Sequence, residues 1–497
     1  MTTPDIIEVP EVSPPLEIEL PTEPELKQRD GWLPKDQRKK ILLLSDDLRM
    51  PSGVGVMSRE IVMGTCHVFN WVQLGAAINH PEVGRGVDVS DSVAAELGVK
   101  DPYLRIIPYN GYGDHNVLRW LIKTEKPDAI MHFTDPRFWI WLYQMEHEIR
   151  QLMPLTFYHV WDDTPYPKYN ENFYRSCDAI FGISKQTYNI VRQVWKREQP
   201  QPWQVKYIPH GINHHLWKKL EDEPSLTSVQ QVREKFFGAD WEKVKFVVLY
   251  NNRNIRRKMT SDVILAYKTF VDKLTPAERE GCRLLLHTAP VDENGTDLTA
   301  VLRDVAPDIK VVFSAERVSP PDMVNIYNLS DVVINLASNE GFGIGTLEAM
   351  MTERMIVANV TGGLQDQMGF VDEKGNYLDA DVHYNYDWGT NADGRYKQHG
   401  EWAIPVFPNN RALIGSPATP YIFDDRCDWR DAGEALYTVY KMTPEERARR
   451  GKLGREWAMS EHAKMTAEAM CTNFIDGFNE VFEKWKPRRS FGIYKSE

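Results

Sequence analysis

Two series of short apolar runs, each run followed by a helix-like stretch, constrain the fold of this chain more than any other feature. The first series comprises Lys40–Ser45, Ala129–Phe133, Leu155–Val160 and Ala179–Ile183. The second comprises Lys245–Tyr250, Arg283–His287, Val311–Phe313, Val332–Leu336 and Met355–Val360. Runs of this kind predict buried parallel strands, and their alternation with helices is typical of doubly wound α/β domains. Since 497 residues exceed one typical domain, we predict two Rossmann-like domains.

Composition narrows the class of protein. The formal net charge of −12 argues against a surface that binds nucleic acid throughout, although it leaves room for a local basic groove. The five cysteines have no Cys-x-x-Cys spacing, which predicts reduced thiols rather than disulfides or a zinc site. The sequence has neither signal-peptide features nor an apolar run of membrane-spanning length. We therefore expect a soluble, cytoplasmic protein.

A glycine-rich segment, Asn339–Met350, lies between the predicted strand Val332–Leu336 and a predicted helix. Glycines let a ligand approach the main chain closely, and the free N–H groups of a helix N-terminus attract anions or polar ligands. Glu340 and Glu348 add acceptors suited to sugar hydroxyls. The segment predicts a site for an anionic or polyol ligand, with a ligand-free turn as the alternative.

The pattern Glu-x-Phe-Gly-x-x-x-Leu-Glu-Ala-Met, followed by a strand and Thr361–Leu364, resembles the donor-site signature of retaining glycosyltransferases of the GT-B fold. That broad family includes glycogen synthase, sucrose synthase and bacterial mannosyltransferases. The resemblance implies that the transferred sugar contacts Glu340, Gly341, Phe342 and Gly343. It implies that Glu348 binds the ribose of a nucleotide sugar. The chain departs from the family at Glu353-Arg354-Met355, where Gly-x-Pro is usual.

The resemblance also implies an architecture of two Rossmann-like domains that face each other across a cleft, with a C-terminal helix crossing back to the first domain. The predicted parts are an acidic, proline-rich arm (1–38), an acceptor domain (39–225), a donor domain (226–465) and the crossover helix and tail (466–497). Residues 379–420 are predicted to be an insertion beside the cleft. Its aromatic residues favour a role facing a ligand or partner, and the alternative is a cover for the domain's own core: Trp388, Tyr396, Trp402 and Phe407.

Basic residues follow the first predicted strand of the second domain. A transferase must stabilise the diphosphate that leaves when the sugar–phosphate bond breaks, and fixed cations can do this without a metal. Arg253 and Lys258 match the family's arginine and lysine in position and spacing, although Met259 replaces the usual glycine. Arg256 and Arg257 are additional. The alternative is a solvated basic loop.

Two further segments carry candidate residues on the first domain. Gly53 and Gly55 follow the first strand, where the family uses backbone amides against the donor phosphate or the acceptor. His159 ends a predicted strand, and the resemblance implies a catalytic position near the anomeric centre. His132 is the competing candidate, and either histidine could instead be structural.

No metal and no cofactor are predicted beyond the nucleotide-sugar co-substrate. Asp379 and Asp381 have the Asp-x-Asp spacing by which another class of glycosyltransferase holds a divalent cation. They lie far beyond the donor signature and beside a turn, so we interpret them as a solvated acidic turn.

The sequence is compatible with more than one class of acceptor. Several segments resemble glycosyltransferases encoded by tailed bacteriophages, which makes a hydroxymethylated base in phage DNA the proposed acceptor, modified in the host cytoplasm: Ser45–Met50, Asn251–Lys258 and His399–Val406. The predicted enzyme is a retaining, metal-independent hexosyl- or pentosyltransferase. The alternatives are transfer to a lipid or glycan, and a catalytically silent module that binds nucleotide sugars.

Overall fold

A computed structural model describes residues 30–195 and 200–488 of the chain. Residues 1–29 of the predicted arm and the end of the predicted tail lie outside the described residues. Among the residues it does describe, no helix combines the length and apolar character needed to cross a membrane.

The first domain is built on an eight-stranded sheet with the strand order β3-β4-β2-β1-β5-β6-β7-β8. Its strands are β1 (Lys39–Asp46), β2 (Phe69–Ala76), β3 (Val87–Asp88), β4 (Leu104–Pro108), β5 (Ala129–Phe133), β6 (Leu155–His159), β7 (Ala179–Gly182) and β8 (Val205–Tyr207). Its helices are α1 (Gly53–Thr65), α2 (Ser90–Leu97), α3 (His115–Glu125), α4 (Ile140–Gln144), α5 (Glu146–Ile149), α6 (Glu171–Arg175) and α7 (Lys185–Val194). Apart from the antiparallel edge pair β3–β4, neighbouring strands run parallel.

The second domain is built on a six-stranded parallel sheet with the order β11-β10-β9-β12-β13-β14. Its strands are β9 (Phe246–Asn251), β10 (Cys282–His287), β11 (Val311–Phe313), β12 (Val332–Asn335), β13 (Met355–Asn359) and β14 (Ala403–Val406), followed by the hairpin β15 (Asn410–Ser416) and β16 (Thr419–Arg426). Its helices are α8 (Glu223–Phe237), α9 (Thr260–Val271), α10 (Pro276–Glu280), α11 (Leu298–Asp304), α12 (Pro320–Leu329), α13 (Ile344–Met351), α14 (Trp429–Lys441) and α15 (Pro444–Ala458). The final helix is α16 (Ala467–Lys484).

Helix α16 leaves the second domain and packs on the first. The backbone N–H of Ile212 donates to the carbonyl of Met465, and the N–H of Ala467 donates to the carbonyl of Ile212. Further along α16, the ring of Phe478 contacts the ring of Phe69 at 5.7 Å between centroids. These contacts confirm the predicted crossover helix and, with the two parallel sheets, the predicted fold class.

The predicted strands are confirmed, but five strands of the sheets were not predicted: β2, β3, β4, β8 and β14. β2 is buried along its whole length, yet Asn70 and Gln73 break its apolar pattern. Gln73 is buried because its amide hydrogen-bonds the Ser45 hydroxyl at 2.8 Å and the Leu48 N–H at 3.1 Å. β14 contains Pro405, which a sheet tolerates at an edge strand.

The interpretation of residues 379–420 as an insertion facing a ligand is wrong in part. Ala403–Val406 is strand β14 of the sheet, and Trp388 and Trp402 are buried. The Trp402 ring stacks on Trp457 at 5.7 Å, and its indole N–H donates to the Gln367 carbonyl at 2.9 Å. These two rings therefore cover the domain's own core, which was the alternative.

Candidate functional site

The glycine-rich segment forms the turn between β12 and α13, at the carboxyl end of the second sheet. Gly343 has a φ of 89°, in the left-handed region that favours glycine. A Cβ added to Gly341 would lie 3.0 Å from the carbonyl oxygen of Val160 in the first domain. The turn therefore needs glycine both to reverse the chain and to let the opposite domain approach.

The carbonyl groups of this turn accept hydrogen bonds from neighbouring residues. The Gln367 side-chain amide donates to the carbonyls of Phe342 at 2.8 Å and Gly343 at 3.0 Å. The N–H of Gly363 donates to the Glu340 carbonyl at 2.9 Å. Within residues 30–195 and 200–488, the amides of Gly341, Phe342 and Gly343 donate no hydrogen bond. These N–H groups stand at the N-terminus of α13, where a bound anion or hydroxyl would satisfy them.

Glu340 makes a close ion pair with Lys258, which lies in a 3₁₀ turn after β9. Both side chains are buried, and Arg257 approaches the same carboxylate with 3.9 Å between Nη1 and Oε1. Burial alone would raise the pKa of Glu340, but Lys258 and Arg257 hold that pKa below its usual value. The site therefore presents an ionised carboxylate and fixed cations beside the free amides.

Glu348 lies on α13, one helical turn after the first residue of that helix, Ile344. Its carboxylate accepts hydrogen bonds from the Tyr327 hydroxyl at 2.7 Å and the Asn251 side-chain amide at 3.3 Å. Burial raises the pKa of Glu348 to about 7, although the Tyr327 hydrogen bond opposes the shift. The carboxyl group is thus an acceptor whose charge changes near neutral pH.

The first domain brings its own glycine turn to the cleft. The Ser52 hydroxyl caps α1 by accepting from the Gly55 N–H at 3.0 Å, and it donates to the Asp46 carboxylate at 2.8 Å. A Cβ added to Gly53 would lie 3.6 Å from Cδ1 of Ile344, the first residue of α13. The N-termini of α1 and α13 therefore face each other across the cleft.

Asp162 and Asp163, which follow β6 and His159, are acidic groups of the site. Asp162 lies 3.9 Å from Arg257, measured from Oδ2 to Nη1, and Asp163 hydrogen-bonds Asn339 across the cleft. Burial raises the pKa of both carboxyl groups. A signal was present in the sequence, because two adjacent acids directly after a strand of the first domain point to the cleft edge.

The predicted catalytic role of His159 does not fit the structure. Its ring is fully buried in the first domain, where Nε2 hydrogen-bonds the Tyr174 hydroxyl at 2.7 Å. Burial lowers the pKa of His159 to about 3, so the ring is neutral. His132 is equally buried, with Nδ1 at 2.7 Å from the Tyr143 hydroxyl. Both are structural histidines, because strand geometry turns their side chains into the core.

Arg253 lies at the end of β9, as predicted, but its side chain points outward. It is 64% exposed and pairs with Asp292, with 2.9 Å between Nε and Oδ2. Arg257, an additional arginine of the same segment, is the one that contacts Glu340. Arg253 can reach a ligand only after its ion pair with Asp292 opens.

Acidic and histidine side chains also cluster outside the cleft. Asp381 accepts hydrogen bonds from the Tyr188 hydroxyl at 2.6 Å and from Arg192 at 3.2 Å, on the outer side of α7. In the part of the chain that the structure describes, one cluster has ligand atoms close enough for a metal: His214, His215 and Glu468. It lies at the start of α16, away from Glu340.

No protein-family model matches the chain. Among curated proteins, D-inositol 3-phosphate glycosyltransferase of Saccharomonospora viridis is 28% identical over 199 residues, which are 39% of this chain and 42% of that protein. Trehalose synthase of Thermococcus litoralis is 29% identical over 123 residues, 24% of this chain and 29% of that protein. The matched segments thus span less than half of these relatives.

Solved structures match over nearly the whole chain. Anabaena HepE in complex with UDP and glucose has a TM-score of 0.61 at 12% identity, covering 89% of this chain and 100% of that one. Sucrose-phosphate synthase from Thermosynechococcus elongatus has a TM-score of 0.60 at 14% identity, covering 90% and 100%. The chain has the fold of these proteins, which is the predicted GT-B architecture.

Proposed function

We propose that this protein is a retaining, metal-independent glycosyltransferase that uses a nucleotide-sugar donor. The observation that carries the proposal is the arrangement of free amides at Gly341–Gly343 beside the Glu340–Lys258 ion pair, at the cleft between the two sheets. The partial sequence similarity to a glycosyltransferase and a trehalose synthase supports it. The HepE structure contains UDP and glucose, which makes UDP-glucose the first donor to test.

Each group of the site has a proposed role. The Gly341–Gly343 amides and Glu340 bind the transferred sugar, and Glu348 accepts hydrogen bonds from ribose hydroxyls. Lys258, with Arg253 once it leaves Asp292, stabilises the charge that develops on the leaving diphosphate. Arg257 is close enough to add its positive charge to theirs. Fixed positive groups in a largely dry cleft can supply the stabilisation that a cation gives elsewhere.

In the proposed reaction, the bond between the anomeric carbon and the diphosphate oxygen breaks, and the acceptor oxygen bonds to the same face of the sugar. The proton of the acceptor hydroxyl passes to the leaving phosphate, which bears the electron pair of the broken bond. No protein nucleophile is needed. His159 is omitted from this scheme because its ring is enclosed in the core.

Two classes of acceptor are proposed for this chemistry. A hydroxymethylated base in DNA is suggested by the phage-like segments alone, and it would have to bind without Trp388 and Trp402, which are buried. A glycan or lipid acceptor is the alternative within the same chemistry.

Two measurements test the proposal. The anomeric configuration of the transferred sugar, followed by proton NMR from the start of the reaction, should equal that of the donor; inversion would refute retention. Turnover should persist after exhaustive treatment with EDTA. Loss of turnover that Mn²⁺ or Mg²⁺ restores would refute metal independence.

A further inference from the structure

Two aromatic rings form a platform at the carboxyl end of β5, and we refer to Phe138 and Tyr112 as the aromatic platform. Their rings stack with centroids 4.7 Å apart and planes 9° from parallel. Phe138 is nevertheless 53% exposed. Since Tyr112 covers one face of the Phe138 ring, the exposed part is its other face and edge. Aromatic side chains are common in the lining of ligand sites, and an open ring that is stacked and fixed from below can serve as a ligand contact.

The platform is rigidly supported. The Tyr112 ring packs edge-on against Trp139, 5.7 Å away, and Trp139 is fully buried. Phe138 lies in the 3₁₀ turn Pro136–Trp139, which Asp135 caps by accepting from the Arg137 N–H at 2.9 Å. The orientation of the open ring is therefore set by packing beneath it and by a capped turn.

Acidic groups surround the platform. Burial raises the pKa of Tyr112, and the nearby charges of Asp46 and Asp135 raise it further. Asp135 forms an ion pair with Arg137, whose guanidinium lies over the Trp161 ring at 5.0 Å from its centroid. Carboxylates beside an exposed aromatic face are suited to a ligand that has both hydroxyl groups and an apolar face.

The platform is connected to the proposed reacting centre. The guanidinium of Arg137 lies over the ring of Trp161, which is the residue before Asp162. Asp162 in turn lies 3.9 Å from Arg257, which is 3.9 Å from Glu340. A chain of side-chain contacts thus runs from the turn that carries Phe138 on the first domain to the donor turn on the second.

The charges of the cleft favour a neutral occupant. The first domain contributes four acidic side chains to this surface: Asp46, Asp135, Asp162 and Asp163. Burial raises the pKa of Asp46, Asp162 and Asp163. The arginines on this path, Arg137 and Arg257, already lie against carboxylates. A polyanion such as DNA needs phosphate contacts from available cations, and these two arginines are already engaged by acidic groups.

We propose that the aromatic platform is the acceptor subsite and that the acceptor is a neutral carbohydrate. The C–H face of its ring covers the open face of Phe138, while its hydroxyl groups donate to Asp46 and Asp135. This proposal rests on the proposed function. A carbohydrate fits both the aromatic ring and the carboxyl groups of the subsite, because a sugar ring is apolar on its faces and polar around its edge.

Saturation-transfer NMR with maltose, methyl glucoside and myo-inositol as probes, in the presence of UDP, tests the proposal. Transfer to the ring C–H protons of at least one probe is expected for the wild type. Phe138→Ala should weaken that binding about tenfold, while Phe138→Tyr should retain it. Leu152→Ala is the control, because Leu152 is a 64% exposed apolar side chain of the same domain with no part in the cleft.

Two outcomes would overturn the carbohydrate subsite: no transfer to any of the neutral probes, or transfer that Phe138→Ala leaves unchanged. A parallel titration with a duplex containing hydroxymethylated bases provides the other arm. If the duplex binds while the neutral probes do not, and Phe138→Ala abolishes that binding, the platform would be assigned to a nucleic acid. Donor cleavage is measured separately, so its absence would count against the proposed function whatever the probes do.

Discussion

Lys258 and Glu340 together set the electrostatics of the proposed donor site. Each is buried, and each would be costly to leave without the other, because a lone charge in a dry pocket lacks the solvation of water. In the proposed reaction, the same lysine stabilises the negative charge of the leaving diphosphate. The pair is thus positioned for the leaving group before the reaction begins.

Lys258→Ala is expected to lower turnover by about 10²–10³-fold, since a preorganised charge contact of this kind contributes that much to rate. Arg256→Ala is the matched control, because Arg256 lies in the same 3₁₀ turn with an exposed side chain. Steady-state release of nucleoside diphosphate measures both. Equal losses in the two variants, or none in Lys258→Ala, would remove Lys258 from the site.

The carboxyl group of Glu348 predicts a pH dependence of donor binding. Its pKa of about 7 means that it gains charge as the pH rises through that value, and the ionised form is the better acceptor for ribose hydroxyls. The affinity for UDP should therefore increase as the pH is raised through about 7. Calorimetric titration of wild type and Glu348→Gln in parallel separates this effect from titration of the phosphate. An identical pH dependence in both proteins would contradict the role.

Glu340, Lys258 and Glu348 could be predicted because each lies in a short motif, directly after a strand, that resembles the donor-site signature of the family. His159 could not be placed correctly, because β6 is buried on both faces and its sequence does not say where along the strand the cleft begins. The contact of Asp162 with Arg257 joins two domains, so no local pattern in either segment contains it.

Among the elements, α16 links the two domains by packing on α1. The side chain of Cys471 lies so close to Gly64 that a Cβ at position 64 would overlap its sulfur. Close packing here holds the crossover helix, and with it the first domain, against the end of the second. The resemblance that predicted α16 could not predict this packing, because the packing depends on a single glycine that belongs to no recognised motif.

Gly64→Ala should destabilise the protein by about 1–3 kcal/mol, the usual cost of forcing an extra methyl group into a packed interface. Cys471→Ala removes the sulfur that the methyl group would meet, so the double variant should recover part of the loss. Thermal unfolding of the two single variants and the double variant gives the coupling between the sites. Additive effects of the two substitutions would show that the predicted overlap does not occur.

At the scale of the whole molecule, the two sheets present their carboxyl ends to one cleft, and both domains close on it. Lys185 at the start of α7 illustrates the contact, because its backbone N–H donates to Asp366 at 2.8 Å and its ammonium group donates to the Leu378 carbonyl at 2.5 Å. Ligands of open α/β sheets bind at the carboxyl ends of the strands. A donor held by one domain and an acceptor held by the other would meet beside Glu340.

Release of nucleoside diphosphate from a nucleotide sugar tests the central claim most directly. Wild-type protein is incubated with a panel of nucleotide sugars, UDP-glucose first, with the neutral sugars and the hydroxymethylated duplex as separate acceptors. We expect release by the wild type with at least one donor and a loss of about 10²–10³-fold in a folded Glu340→Gln variant. No release from any donor, or equal release by wild type and variant, would contradict the account.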